Sequence, residues 1–365
     1  MFSNVFLKSF RILLFPFALL YWAGITIRNW FYDKQISRSV SFGLPLICVG
    51  NLSVGGTGKS PMVEYLVRLL QDSFQIATLS RGYKRKTRGY ALADEHTTAL
   101  DIGDEPMQFH LKFPELPVAV GEQRVEAVPQ LLHDRPQTQV IILDDAFQHR
   151  AISAGFNILL TECSNLFTRD FYLPTGDLRD LRSSYKRADV IIVTKCDPAM
   201  RETEKERITR EIGVGEHQHI FFTCIEYGTP YHLTGRHTAV LNESLEVLVV
   251  TGIANPKPLE QHLEQRTATY GVLRYADHHI FTIDDLNEIR RKFRALTSGN
   301  KLILTTEKDA VRLEKFNSLI SDLPVYVMPV QHRFLFDGGQ QFNQLVINFI
   351  QSFGKRENNN YGKKE

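Results

Sequence analysis

From Leu44 onward, short runs of apolar residues alternate with longer stretches in which apolar positions recur every three or four residues. That rhythm predicts a mostly parallel sheet whose strands are joined by crossover helices, an α/β fold. Strands are expected at 44–50 (LPLICVG), 75–80 (QIATLS), 140–145 (VIILDD), 157–162 (NILLTE), 189–195 (DVIIVTK) and 220–224 (IFFTC), with helices starting near Lys59, Glu122 and Glu202. Together they make one doubly wound domain over 41–225. Segment 226–245 breaks the rhythm with Gly, Pro and Thr and reads as a linker, with a strand pair as a further option. Beyond it, VLVVTGIA, GVLRYA, KLILTT and PVYVMP read as strands, and 258–266, 282–297 and 340–353 as helices. This predicts a second, smaller α/β domain over 246–353. The tail 354–365 has almost no apolar content and is expected to be disordered.

Residues 1–40 follow a different pattern. The run ILLFPFALLYWAGITI, 12–27, carries no charge and is flanked by Lys8 and Arg11 on one side and by Arg28, Lys34 and Arg38 on the other. As a helix rising ~1.5 Å per residue it reaches about 24 Å, short of the roughly 30 Å hydrocarbon core of a bilayer. No small-x-small cleavage site precedes a polar mature start, which argues against a signal peptide. The reading adopted is a membrane-associated helix lying in one leaflet, with Trp22 and Trp30 as interfacial anchors and basic residues at the headgroups. A helix buried against the protein core is the alternative.

Composition narrows the class of partner. The chain has 365 residues, 43 Lys and Arg against 41 Asp and Glu, and a formal charge of +2. No whole-molecule field favours nucleic acid, so an anionic ligand needs a local basic cluster. Cys48, Cys163, Cys196 and Cys224 lie in or beside apolar runs without metal or redox spacing, and read as reduced, mostly buried thiols.

The candidate chemistry starts at GNLSVGGTGKSP, 50–61. Against the phosphate-loop pattern G-x-x-x-x-G-K-[ST], residues 53–60 read S-V-G-G-T-G-K-S, with Ser53 in place of the first glycine. Gly55, Gly56, Thr57 and Gly58 still allow backbone N–H groups to turn toward a phosphate at a helix N-terminus. Lys59 would reach the β- and γ-phosphates, and the Ser60 hydroxyl would bind Mg²⁺. The strand VIILDD ends in Asp144 and Asp145, where a carboxylate supporting Mg²⁺ belongs. VTKCD, 193–197, has Thr194 where a guanine-reading motif has asparagine, which favours ATP. Asp104 and Glu105 in GDEP are read equally well as a solvated turn, and His278 beside Asp277 and His279 as structural or as a tuned imidazole. Candidate acceptor contacts lie in SRGYKRKTRG (80–89), GEQRVEA (121–127) and LPTGDLRD (173–180).

Those motifs in this order, with LDDAFQHR, RADVIIVTK, VTGIANP, DHHIF and TTEKDAVRL, resemble the tetraacyldisaccharide 4'-kinase family of P-loop NTPases. The family's loop commonly carries threonine or serine where Ser53 stands. The resemblance implies transfer of the γ-phosphate of ATP to the 4'-hydroxyl of a lipid A disaccharide precursor by a monomeric, peripheral protein on the cytoplasmic face of the bacterial inner membrane. An ATP-switched membrane ATPase of the partitioning or targeting type is the rival. The resemblance further implies Asp104 as the base, assisted by His278, with Ser60, Glu105, Asp144 and Asp145 supporting metal. It places Tyr83, Arg124, Gln148, His149 and Arg179 near the sugar-phosphate headgroup. Two positions depart from the family pattern. Ala146 replaces a glycine, which would restrict a backbone turn, and Asp180 replaces a glutamate, which shortens a carboxylate's reach.

Overall fold

The computed structural model describes residues 11–235 and 237–361. Lys8 and residues 362–365 therefore lie outside the described residues. Strands β1 (Leu46–Asn51), β2 (Ile76–Ser80), β3 (Ala91–Leu92), β4 (Val118–Val120), β5 (Val140–Asp144), β6 (Phe156–Glu162), β7 (Val190–Thr194) and β8 (His219–Tyr227) build the larger sheet. Strands β9 (Tyr231–His232), β10 (Glu246–Thr251), β11 (Thr269–Arg274), β12 (Lys301–Thr306) and β13 (Val325–Met328) build the smaller one. A last strand, β14 (Val330–Phe334), returns to the first, giving the orders β14-β8-β7-β6-β1-β5-β2-β4-β3 and β11-β10-β12-β13-β9. The pairs β3–β4, β8–β14 and β9–β13 are antiparallel, and the other pairs are parallel.

The longer helices among the described residues are α1 (Phe15–Asp33), α2 (Lys59–Leu70), α3 (Asp104–Lys112), α4 (Arg124–Asp134), α5 (Glu202–Ile212), α6 (Lys257–Glu264), α7 (Ile283–Arg294), α8 (Glu307–Leu313) and α9 (Gly338–Tyr361). Every residue of β1, β5 and β7 is buried, because helices cover both faces of the sheet. Along β1 the side chains alternate: Leu46 and Cys48 join the core beneath α4 and α5, while Ile47 and Val49 join the one beneath α2 and α9.

The expected boundary at 353 does not describe the observed sheets. β14 pairs with β8 in the register Val330↔Tyr227, and Phe342, Val346 and Ile350 of α9 pack into the core beneath α2. The outer edge of β8 and the apolar face of α2 both need cover, and these two elements supply it. The 226–245 segment contributes β9, which joins the smaller sheet through β13 rather than pairing within itself alone. Helix α9 continues to Tyr361, into the segment expected to be disordered. KRENNN offers no proline to stop a helix already nucleated on a packed face.

Helix α1 buries one stripe, Ala18, Ile25 and Asn29, and leaves Phe17, Leu20, Trp22, Ile27 and Trp30 exposed. Among the described residues no helix is long and apolar enough to cross a membrane. Its seat is polar. Asn29 Nδ2 donates to Asp180 Oδ1 at 2.8 Å, Arg150 pairs with Asp33 at 2.8 Å, and Arg28 donates to the Gln148 carbonyl at 2.6 Å. Asp180 also meets Arg187 at 3.1 Å and accepts from Ser184 at 3.0 Å. The shortened carboxylate is thus a buried clamp on α1.

Asp180→Ala should lower unfolding free energy by roughly 2–4 kcal/mol, since Arg187 and Asn29 lose their buried acceptor. Urea denaturation checks this, and an unchanged midpoint would contradict it. A second expectation comes from β14, whose His332 Nε2 donates to the Gly58 carbonyl at 2.8 Å while Nδ1 accepts from Thr223 Oγ1 at 2.9 Å. Burial pushes this imidazole down from 6.5 to about 4. The unfolded chain then takes a proton the folded chain refuses, so stability falls as pH drops through that window. Compared with His332→Gln, the wild type should lose up to about 3 kcal/mol more between the two values. Parallel curves from pH-dependent unfolding would refute this.

Candidate active site

The loop between β1 and α2 is shaped by glycine at two points. Gly55 has φ 108° and Gly58 φ 87°, both in the left-handed region. A Cβ on Gly55 or Gly56 would meet nothing within 4 Å, so these residues bound open space at the helix N-terminus. Three contacts hold the loop. Asn51 Nδ2 donates to Thr57 Oγ1 at 2.9 Å, Thr194 Oγ1 donates to the Thr57 carbonyl at 2.9 Å, and His332 holds Gly58. Thr194, at the strand end where a base-reading asparagine was sought, supports the phosphate loop instead. Lys59 and Ser60 occupy the first turn of α2, as their spacing predicts.

The carboxylates gather at the carboxyl ends of the central strands. Lys59 Nζ lies 3.7 Å from Asp145 Oδ1, and Ser60 Oγ donates to Glu105 Oε1 at 3.4 Å. Asp144 and Asp145 differ sharply. Burial, reinforced by Glu105 and Asp145, pushes the Asp144 carboxyl up to about 7, and its Oδ1 is buried without a partner. Asp145 is only half-buried; desolvation opposes its charge, but Lys59 and Arg179 outweigh that and hold its carboxyl below the ordinary range. Arg179 grips Asp145 with both terminal nitrogens and donates to Asn51 Oδ1. Arg179 is therefore part of the loop scaffold. The left-handed residue of this turn is Asp145, φ 50°, and Ala146 is not among the residues with positive φ. The alanine consequently imposes no strain there.

Asp104 and Glu105 open α3 instead of forming a solvated turn, with Gly103 at φ 94° before them. A Cβ on Gly103 would stand 2.8 Å from the Tyr83 carbonyl. Asp104 Oδ2 lies 3.4 Å from His278 Nδ1, which brings the two domains together at this point. Lys308, to which sequence reasoning gave no role, meets Glu105 at 2.9 Å. Burial opposes ionisation of Glu105, yet Lys308 and Lys59 outweigh it and hold the carboxyl low.

Among the expected headgroup residues, Gln148 Nε2 donates to the Asn51 carbonyl at 2.8 Å and Tyr83 is exposed, its ring centroid 6.3 Å from that of His278. His149 is half-buried. Burial, with the charges of Arg124, Arg28 and Arg81, pushes its imidazole down to about 4. Arg124 is buried with its Nε unpartnered, and beside it the loop 81–88 and Glu122 line a cavity of about 450 Å³. The cationic cluster thus unites α1, the basic loop and α4, a setting suited to an anionic ligand.

Among the described residues no three His, Cys, Asp or Glu side chains converge closely enough to cage a metal. A magnesium ion needs less, because one or two carboxylates and phosphate oxygens commonly suffice. Asp144, with its orphaned oxygen, and Ser60, beside Glu105, fit that donor set. Asp145, already paired with Arg179 and Lys59, fits it less well.

The family model described as tetraacyldisaccharide-1-P 4'-kinase matches residues 10–351. The chain is 42% identical over 351 residues to a tetraacyldisaccharide 4'-kinase of Parabacteroides distasonis, covering 94% of this chain and 95% of that one. To the one of Flavobacterium johnsoniae it is 45% identical over 341 residues, covering 93% and 97%. Among solved structures, LpxK from Aquifex aeolicus in complex with ATP matches with a TM-score of 0.72 at 25% identity, over 93% of this chain and 99% of that one. The chain belongs to the tetraacyldisaccharide-1-P 4'-kinase family.

Proposed function

We propose that the protein transfers the γ-phosphate of ATP to the 4'-hydroxyl of a tetraacyldisaccharide 1-phosphate, giving lipid IVA in lipid A biosynthesis. The observation that carries this reading is Asp104 at the N-terminus of α3, next to Glu105, whose carboxylate touches Ser60 of the phosphate loop. A base and a phosphate cradle share one edge. Asp104 takes the proton of the 4'-hydroxyl as its oxygen attacks the γ-phosphorus. The bond from that phosphorus to the β–γ bridging oxygen breaks, and ADP leaves with the electron pair. Lys59 and the backbone of Gly55–Ser60 hold the phosphates through the charge shift. Magnesium, when bound at Ser60 and Asp144 beside Glu105, supplies further neutralisation of phosphate charge.

The acceptor is a lipid, and α1 supports meeting it at a surface. Its exposed apolar side chains face away from the stripe that clamps onto Asp180, while Arg28 on the same helix joins the cationic cluster around His149. A monomer bound peripherally to the cytoplasmic face of the bacterial inner membrane would present that cluster to the sugar phosphate without extracting the acyl chains.

The test is incorporation of label from γ-labelled ATP into the tetraacyldisaccharide 1-phosphate carried in anionic vesicles. The wild type should sediment with the vesicles and label the lipid, and Asp104→Ala should lower kcat by about 10²–10⁴-fold. ATP hydrolysis without labelled lipid would instead support an ATP-switched membrane ATPase.

A further inference from the structure

The segment TTEKDAVRL, 305–313, belongs to the smaller domain, yet two of its side chains end on the acids of the larger one. Lys308 and Arg312 are four residues apart on α8 and leave the same helix face. Lys308 Nζ meets Glu105 Oε1, and Arg312 Nε donates to Asp104 Oδ2, each at 2.9 Å. Arg312 is held in place. Its side chain is 6% exposed, its Nη1 donates to Asp309 Oδ1 at 3.0 Å, and Asp309 Oδ2 accepts from the Gly252 N–H at 3.0 Å.

The remaining arginine nitrogen decides the character of the site. Arg312 Nη2 lies 3.0 Å from His278 Nδ1. A guanidinium carries only donors, so Nδ1 must offer its lone pair, and the network assigns the ring proton to Nε2. The 3.4 Å between His278 Nδ1 and Asp104 Oδ2 then separates two acceptors that share one arginine. It is not a hydrogen bond between them. The backbone holds His278 at this point: its N–H donates to the Gly252 carbonyl at 3.2 Å, the same carbonyl that accepts from Arg312 Nη1 at 3.4 Å, and its φ of 61° is one that side chains rarely adopt.

We infer that Arg312 is the positioning residue of the acceptor-activating pair. It bridges Asp104 to His278, keeps the His278 proton on Nε2 and engages Asp104 Oδ2, leaving Oδ1 for the acceptor hydroxyl. The last clause rests on the kinase reading, whereas the bridge does not.

The test uses the full chain labelled with ¹⁵N-histidine, the His278 resonances being identified by their loss in His278→Gln. In the wild type, Nδ1 of His278 should be unprotonated. Arg312→Met should move the proton toward Nδ1, where Asp104 becomes the nearest acceptor, and should lower kcat on the lipid by about 10–100-fold with KM for ATP unchanged. Arg312→Lys covers the case in which the methionine variant fails to fold. Its single ammonium can keep the Asp104 pair but cannot span both partners, so the tautomer should still shift, with a smaller loss of kcat. A protonated Nδ1 in the wild type would overturn the inference. So would substitutions that lower thermal stability while leaving the His278 resonances and kcat unchanged. A wild type that labels no lipid would defeat the kinase reading, and the nitrogen resonances would still decide the bridge.

Discussion

Four carboxylates, those of Asp104, Glu105, Asp144 and Asp145, crowd the carboxyl edge of the larger sheet, and their mutual repulsion is the constraint to which the surrounding cations answer. Burial makes each charge more costly than it would be in water. Asp145 is offset by Arg179 and Lys59, Glu105 by Lys308, and Asp104 by Arg312. Asp144 alone keeps a buried oxygen without a partner and has its carboxyl pushed up to about 7. The unrelieved repulsion thus falls on one residue, next to the loop that is shaped for phosphate. A divalent cation brought there with a nucleotide would relieve it.

Seen from that constraint, the path of the chain makes physical sense. Arg179 and Lys59 come from the larger domain, but Lys308 and Arg312 come from α8 of the smaller one. Lys112 of α3 adds a third link by pairing with both Glu64 and Glu307. Helix α3 is therefore held between the phosphate-loop helix and the second domain. The return of β14 ties the same assembly once more, since it carries His332 to Gly58. Movement of the smaller domain would disturb the acids and the phosphate loop together.

Much of this was legible before any coordinates. The central strands are buried on both faces and so read as unbroken apolar runs, which is why β1, β5, β6 and β7 fall within a residue or two of their expected limits. The phosphate loop carries its signal locally, in glycines that permit left-handed turns. Asp104 and Glu105 carried none, because GDEP looks alike whether it opens a helix or ends in water. The roles of Lys308, Arg312, Thr194 and His332 depend on partners up to 274 residues away and leave no periodic trace. The edge strand VQHRF is too short and too polar to stand out, and without it the fate of the C-terminal helix was obscured. Family resemblance pointed to Asp104 and His278 but left unassigned the arginine that joins them.

The central claim is that cations of the smaller domain are energetically coupled to the acids of the larger one. A double-mutant cycle of Glu105→Gln and Lys308→Met, read as kcat/KM for phosphate transfer to the lipid, tests it most directly. Coupling of about 1–3 kcal/mol, with the double variant less impaired than the sum of the singles, is the predicted result. Additivity within about 0.3–0.5 kcal/mol would mean that the ion pair across the domains contributes nothing to the site, and would contradict the account.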